Sequence, residues 1–313
     1  MSFPVFDLHC DTADALSGAY GASCVPLRRN NVHIDLERGK GFPAYAQCFA
    51  CFTTYSDSVN PTDLFERKLA AIHREISKNE DLIAQAFTAN DVENNAANGI
   101  ISAILTIEGP VGFGCDPELL SDLQKVGFRI STLGWNENNP LTGSHITGGG
   151  LTELGVEYVH ECQRLGMIVD VSHISDAGFW DIVNITQAPI VATHSNSRGV
   201  FDVSRNLTDD MFRAICETGG VAGINLYADF LGGNRTLDSV CDHILHFIQL
   251  DPECRHISLG GDLDGCDQLP AGFSGVQDYP KLAQALLLRG LSEENVRNIF
   301  WNNAMGVFRR CCT

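Results

Sequence analysis

Residues 166–194, GMIVDVSHISDAGFWDIVNITQAPIVATH, decide how the chain folds. Two apolar, β-branched runs, GMIVDVSH (166–173) and PIVATH (189–194), each end in a histidine, and a segment of helical length (175–187) separates them. Short, continuously apolar runs alternating with helices are the pattern of parallel strands buried on both faces. The same alternation continues outward in both directions. Strand-like runs are PVFDLH (4–9), AYAQCFACF (44–52), IISAILTI (100–107), FRISTLG (128–134), GVAGINLY (220–227) and HISLGGD (256–262).

Helices are expected between them. Over 62–78, Phe65, Leu69, Ile72 and Ile76 fall on one helical face, with Thr62 after Pro61 as the expected N-cap. Leu151, Leu154, Tyr158, Cys162 and Leu165 form a similar stripe over 151–165. Thr208, followed by Asp209 and Asp210, starts another helix, with acids where the dipole favours them. Further helices are expected at 88–98, 116–126, 236–250, 278–290 and 292–310. Eight strands in this pattern predict an α/β fold, a (β/α)8 barrel of the TIM type, as a single domain over 1–313. An open, doubly wound sheet shares the alternation, and the placement of polar residues separates the two.

Those residues gather at the C-terminal ends of the runs. Asp7, His9 and Asp11 end the first, and strand alternation predicts their side chains on one side. Glu108 ends LTIE, His173 ends VDVSH, His194 ends VATH, and Asp262 and Asp264 sit in LGGDLDG. In a barrel these ends converge on one mouth, where active sites of this fold occur. Each alone has an ordinary explanation as a solvated histidine or an Asx turn. Their joint occurrence, imidazoles mixed with carboxylates, suits zinc or a similar divalent ion and supplies donors for two. His243 and His246 read as helix residues, as does His160, and His33, His73 and His145 have no partner by spacing.

Composition narrows the function classes. The 313 residues carry a net charge of −18, which disfavours nucleic acid and acidic membrane surfaces as partners. No apolar run is long enough for a transmembrane helix, and MSFPVFDLHCD does not read as a signal peptide. Several of the 12 cysteines sit in apolar runs: Cys48 and Cys51 in AQCFACF read as small buried hydrophobes, although their Cys-x-x-Cys spacing also fits a redox or zinc pair, and a cytoplasmic protein is expected.

The motifs DLHCD, IEGP, GLTELGVEYVHECQRLGMIVDVSHIS, ATHSNSR, SRNLTDDMFRAI, LGGDLDG and NNAMGVF resemble the membrane dipeptidase (renal dipeptidase) family, from Asp7 to about Phe308. The resemblance implies an amidohydrolase-like, metal-dependent dipeptidase in which a metal-activated hydroxide at a binuclear zinc site cleaves small dipeptides. It implies two Zn2+ per chain, or another divalent metal. His9 and Asp11 would bind one ion, His173 and His194 the other, and Glu108 would bridge them. Asp262 would be the acid/base carboxylate, Arg205 would grip the substrate's terminal carboxylate, and Tyr227 would line that pocket. Asp264 and Asp7 would support turns. A homodimer is implied by analogy only.

One position departs from the family pattern. Leu133-Gly134-Trp135-Asn136 stands where the family has Leu-Thr-His, whose histidine helps stabilise the oxyanion. Loss of one such donor costs on the order of 100–1,000-fold in rate. Trp135 and Asn136 are therefore candidate substrate-contacting residues, with Asn136 or a metal compensating. Two alternatives follow: a hydrolase of another amide or a lactone, or a barrel that binds small carboxylates with weak turnover.

Overall fold

A computed structural model of the protein describes residues 2–55 and 59–313. Its strands are β1 (Val5–Asp7), β2 (Tyr45–Phe52), β3 (Ile83–Gln85), β4 (Ile101–Glu108), β5 (Phe128–Thr132), β6 (Ile168–Asp170), β7 (Ile190–Ala192), β8 (Val221–Ile224) and β9 (Ile257–Leu259). All pairings between them are parallel, and the sheet closes on itself because β1 pairs with both β2 and β9 while β2 pairs with β4. The barrel order is therefore β1-β2-β4-β5-β6-β7-β8-β9, the (β/α)8 architecture. β3 lies outside this ring: it pairs with Ile101–Ala103 on the edge of β4 that β5 takes over from Leu105 onward.

Alternation along each strand explains two cores. Phe6, Ala46, Cys48, Ile104, Ile130, Ile168, Val191 and Val221 fill the barrel, closed from below by Met305 and Phe308 of the last helix. Val5, Phe49, Cys51, Leu105, Ile107, Val169, Ile190 and Ile257 face outward and pack beneath the helical layer. Cys48 and Cys51 therefore point to opposite faces, as an i, i+3 pair in a strand must.

The expected helices form, with one correction. In Pro61–Lys78 the cap is Asn60, whose side chain accepts from the Thr62 and Asp63 amides. Pro61 occupies the first helical position, where its missing N–H costs nothing, so the cap precedes it rather than follows it. Thr208 caps Asp209–Thr218 as expected. No helix among the described residues is long and apolar enough to cross a membrane.

Candidate active site

The ends of β1, β4, β6, β7 and β9 bring six of the expected residues into one cluster at the mouth. His9 Nε2 lies 3.2 Å from Asp11 Oδ2, 3.3 Å from Glu108 Oε2 and 3.8 Å from Asp262 Oδ1. The other oxygen of Glu108, Oε1, lies 3.1 Å from His173 Nε2 and 3.6 Å from His194 Nε2. Glu108 thus stands between two nitrogen groups. Donor atoms of His9, Glu108 and His194, and of His9, Asp11 and Asp262, are each close enough together to hold one cation.

Buried hydrogen bonds fix which ring nitrogen carries the proton. Asp170 accepts from the Thr132 hydroxyl (2.5 Å), the Thr193 hydroxyl (2.6 Å) and the Ser172 and Thr193 amides. With its one proton committed to Asp170, Thr193 Oγ1 can only accept from His194 Nδ1, at 2.7 Å. On the neighbouring strand end Asn136 Oδ1 accepts from His173 Nδ1 at 3.0 Å and from His145 Nε2 at 2.9 Å. Burial pushes the imidazoles of His173 and His194 down to about 3, so both are neutral near pH 7. Their Nε2 lone pairs then face each other at 2.9 Å, with a Glu108 oxygen beside them. Such a convergence of electron pairs suits a metal ion.

Backbone geometry at the rim is specialised. His173, Asp262 and Asp264 adopt left-handed φ values of 67°, 54° and 68°, a conformation that costs a non-glycine residue and recurs at functional sites. Gly265 has a separate reason: a Cβ there would sit 2.1 Å from Asp11 Oδ2 and 2.5 Å from Asp262 Oδ1. Asp262 is held by Asn225, whose Nδ2 donates to Oδ2 at 3.0 Å. Asp264 instead accepts from the Thr12 hydroxyl and the His33 amide, both at 2.6 Å, and so ties two loops together.

Beside the cluster opens a cavity of about 340 Å3 lined by Phe52, Trp135, Asn136, Tyr227, Phe230 and several aspartates. Arg205 is only 4% exposed. Its Nη1 donates to Ser195 Oγ at 2.7 Å, and its guanidinium lies 5.8 Å from the Phe230 ring centre. Its Nε and Nη2 are buried with no hydrogen-bond partner. A buried guanidinium edge without an acceptor is a costly feature unless an anion completes it.

A model of the membrane dipeptidase family (peptidase family M19) matches residues 1–312. The chain belongs to that family. A Schizosaccharomyces pombe protein described as an uncharacterized dipeptidase is 36% identical over 67% of this chain and 53% of its own length, so the chain spans about half of that relative. A second such protein from the same yeast is 32% identical over 89% of this chain and 72% of its own. Among solved structures, a metallo peptidase from Rhodobacter sphaeroides, liganded with a phosphinate mimic of the dipeptide L-Ala-D-Ala, superposes with a TM-score of 0.89 at 27% identity, covering 99% of this chain and 100% of that one.

Membership in the membrane dipeptidase family implies a metal, and the convergent donors described above fit one. Three expectations from the sequence need correction. Asp7 does not share a side with His9 and Asp11. The strand ends at Asp7, whose carboxylate accepts from the His9 and Gly261 amides and from the Tyr279 hydroxyl in the outer layer. His145 has partners, Asn136 and Ser204, and stands beside His173 with ring centres 6.1 Å apart. His33 has one too, its Nδ1 accepting from the Asp264 amide at 2.9 Å.

Asp170, Thr193, Asn225, Phe52 and Phe230 were not singled out by the sequence. The one available signal was Asp170 itself, an acid inside the apolar run MIVDV, which burial requires to be paired.

Proposed function

We propose that the protein is a dipeptidase working with two divalent ions, zinc by the chemistry of its donors, on small peptides with a free C-terminal carboxylate. The single observation behind the substrate class is Arg205, whose unpartnered Nε and Nη2 offer a two-pronged grip on a carboxylate next to the imidazole and carboxylate cluster. The neighbour that binds a mimic of L-Ala-D-Ala supports this reading. His9 and Asp11 would hold one ion and His173 and His194 the other, with Glu108, whose two oxygens face His9 and His173, placed to serve both. When bound, the ions supply Lewis acidity toward the scissile carbonyl and toward water.

The remaining work falls to the chain. Arg205, with Tyr227 and Phe230 beside it, positions the C-terminal end of the peptide. Asp262, oriented by Asn225, takes the proton of the attacking water and delivers it to the departing amine. The aromatic side chains narrow the cavity and displace bulk water from the reacting centre.

A second reading, a barrel that binds small carboxylates with little turnover, rests on Trp135. It packs against Phe52 with ring centres 4.9 Å apart, in place of the family's oxyanion histidine. An amide or lactone other than a dipeptide is the remaining variant of the enzymatic reading. L-Ala–D-Ala and its C-terminal amide, offered to zinc-loaded protein, separate these readings. Chelator-sensitive cleavage of the free acid, much faster than of the amide, is expected. Tight binding without cleavage, unchanged by Asp262→Asn, would replace the enzyme with the binding protein. The acidic charge and cysteine usage support a cytoplasmic location without nucleic-acid or membrane partners, and family analogy supports a homodimer.

A further inference from the structure

The barrel order gives the cavity two ends. Phe52 closes β2 and Trp135 follows β5, with β4 between those strands. Tyr227 and Phe230 follow β8, four places from β4 around a ring of eight, and Arg205, its guanidinium against the Phe230 ring, follows β7, three places from β4. The Phe52–Trp135 pair and the Arg205–Phe230 side therefore lie on different halves of the mouth and line one cavity with Glu108, His173 and Asp262 of the imidazole and carboxylate cluster. A dipeptide whose carboxylate is on Arg205 and whose scissile carbonyl lies over that cluster must extend its N-terminal residue toward Phe52 and Trp135.

That wall is rigidly held. The Phe52 and Trp135 rings touch at 4.9 Å between centres and are tilted by 59°, so they form one continuous apolar surface. Glu137 joins the loops that carry them, accepting from the Thr54 hydroxyl and the Tyr55 amide, each at 2.5 Å. From behind, Lys68 donates to the Phe52 carbonyl at 2.7 Å, and its ammonium lies 4.9 Å from the centre of the Phe52 ring. A preorganised aromatic surface loses little entropy on contact and rewards apolar area placed against it.

We propose that the Phe52–Trp135 wall determines specificity for the N-terminal residue, selecting dipeptides whose first side chain is large and apolar, aromatic above all. The proposal rests on the dipeptidase reading and on Arg205 marking the carboxylate end. Trp135, on this view, serves selection at the position where the family pattern has a polar donor.

The test compares kcat/KM for L-Phe–D-Ala, L-Ala–D-Ala and L-Asp–D-Ala, and for the same series with L-Ala second, on zinc-loaded wild type, Trp135→Ala, Trp135→Phe and Phe52→Ala. The wild type is expected to prefer Phe over Ala at the first position by roughly 10- to 100-fold, and to handle Asp worst. The Phe/Ala ratio should fall to within about threefold of unity in Trp135→Ala and persist in Trp135→Phe, whose ring rebuilds part of the wall. Because each variant is judged by a ratio, a general loss of rate does not mimic the effect. Turnover of L-Ala–D-Ala with no Phe preference, or with a preference untouched by Trp135→Ala and Phe52→Ala, would overturn the wall and leave the dipeptidase reading standing. No turnover of any dipeptide would overturn both.

Discussion

His173 and His194 present their Nε2 atoms to one another at 2.9 Å, each ring donating its Nδ1–H to a neighbour, Asn136 Oδ1 in one case and Thr193 Oγ1 in the other. The tautomer of each ring is thus imposed by the neighbour that accepts from it. For His194 the chain of command runs one residue further, through Thr193 to the buried carboxylate of Asp170.

Thr193→Val removes the acceptor for His194 Nδ1 while keeping the side chain's shape. Loss of such an outer hydrogen bond is expected to weaken metal binding by about 10- to 100-fold. Thr193→Ser, which retains the hydroxyl, should restore most of it. Competition with a chromophoric chelator measures the affinity, and equal affinity in Thr193→Val and wild type would remove Thr193 from metal support.

Glu108 faces His9 with one oxygen and His173 with the other. Glu108→Ala should abolish binding of two ions together and reduce hydrolysis to background. Elemental analysis that still finds two metals per chain would contradict the bridging role.

Arg205→Ala deletes the unpartnered guanidinium edge. A hydrogen bond to a charged group contributes about 1.5–3 kcal/mol. KM for free dipeptides should therefore rise on the order of 10- to 100-fold, and hydrolysis of C-terminally amidated peptides should change little. Equal loss on both substrates would take Arg205 out of carboxylate recognition.

His243 is wholly buried between the Ser197 amide and the Leu231 carbonyl, and burial pushes its imidazole down to about 4. Its pKa in the unfolded chain is about 6.5. Between those values the unfolded state binds more protons than the folded one, so acidification from about pH 6.5 toward 4 lowers stability, and above that window the effect vanishes. Thermal melts at pH 7 and pH 5 should show a smaller Tm drop in His243→Gln than in the wild type. An identical drop would show that His243 does not set the acid sensitivity.

The eight barrel strands were legible because parallel strands buried on both faces leave uninterrupted apolar runs, and because imidazoles and carboxylates at their ends broke those runs at the same side. β3 was not: Ile83–Gln85 is too short to establish a period. Asp7 was misplaced because alternation holds only while the strand lasts, and β1 stops there. His145 was given no partner for a different reason. It lies in the long irregular segment between β5 and the helix Glu153–Arg164, where spacing carries no information about which groups meet. The partners of the clustered imidazoles were hidden as well, since Thr132, Asp170 and Thr193 are polar residues inside apolar runs and only the folded barrel shows that they satisfy one another.

β4 is hydrogen-bonded by β2 along one edge and, in succession, by β3 and β5 along the other. Such a strand cannot be peeled away from one side alone; three neighbours have to let go before its amides meet solvent. Deuterium should consequently enter Ile101–Glu108 later than the singly layered stretches of the ring, and the pedestal beneath Glu108 should outlast the loops around it when the molecule begins to open.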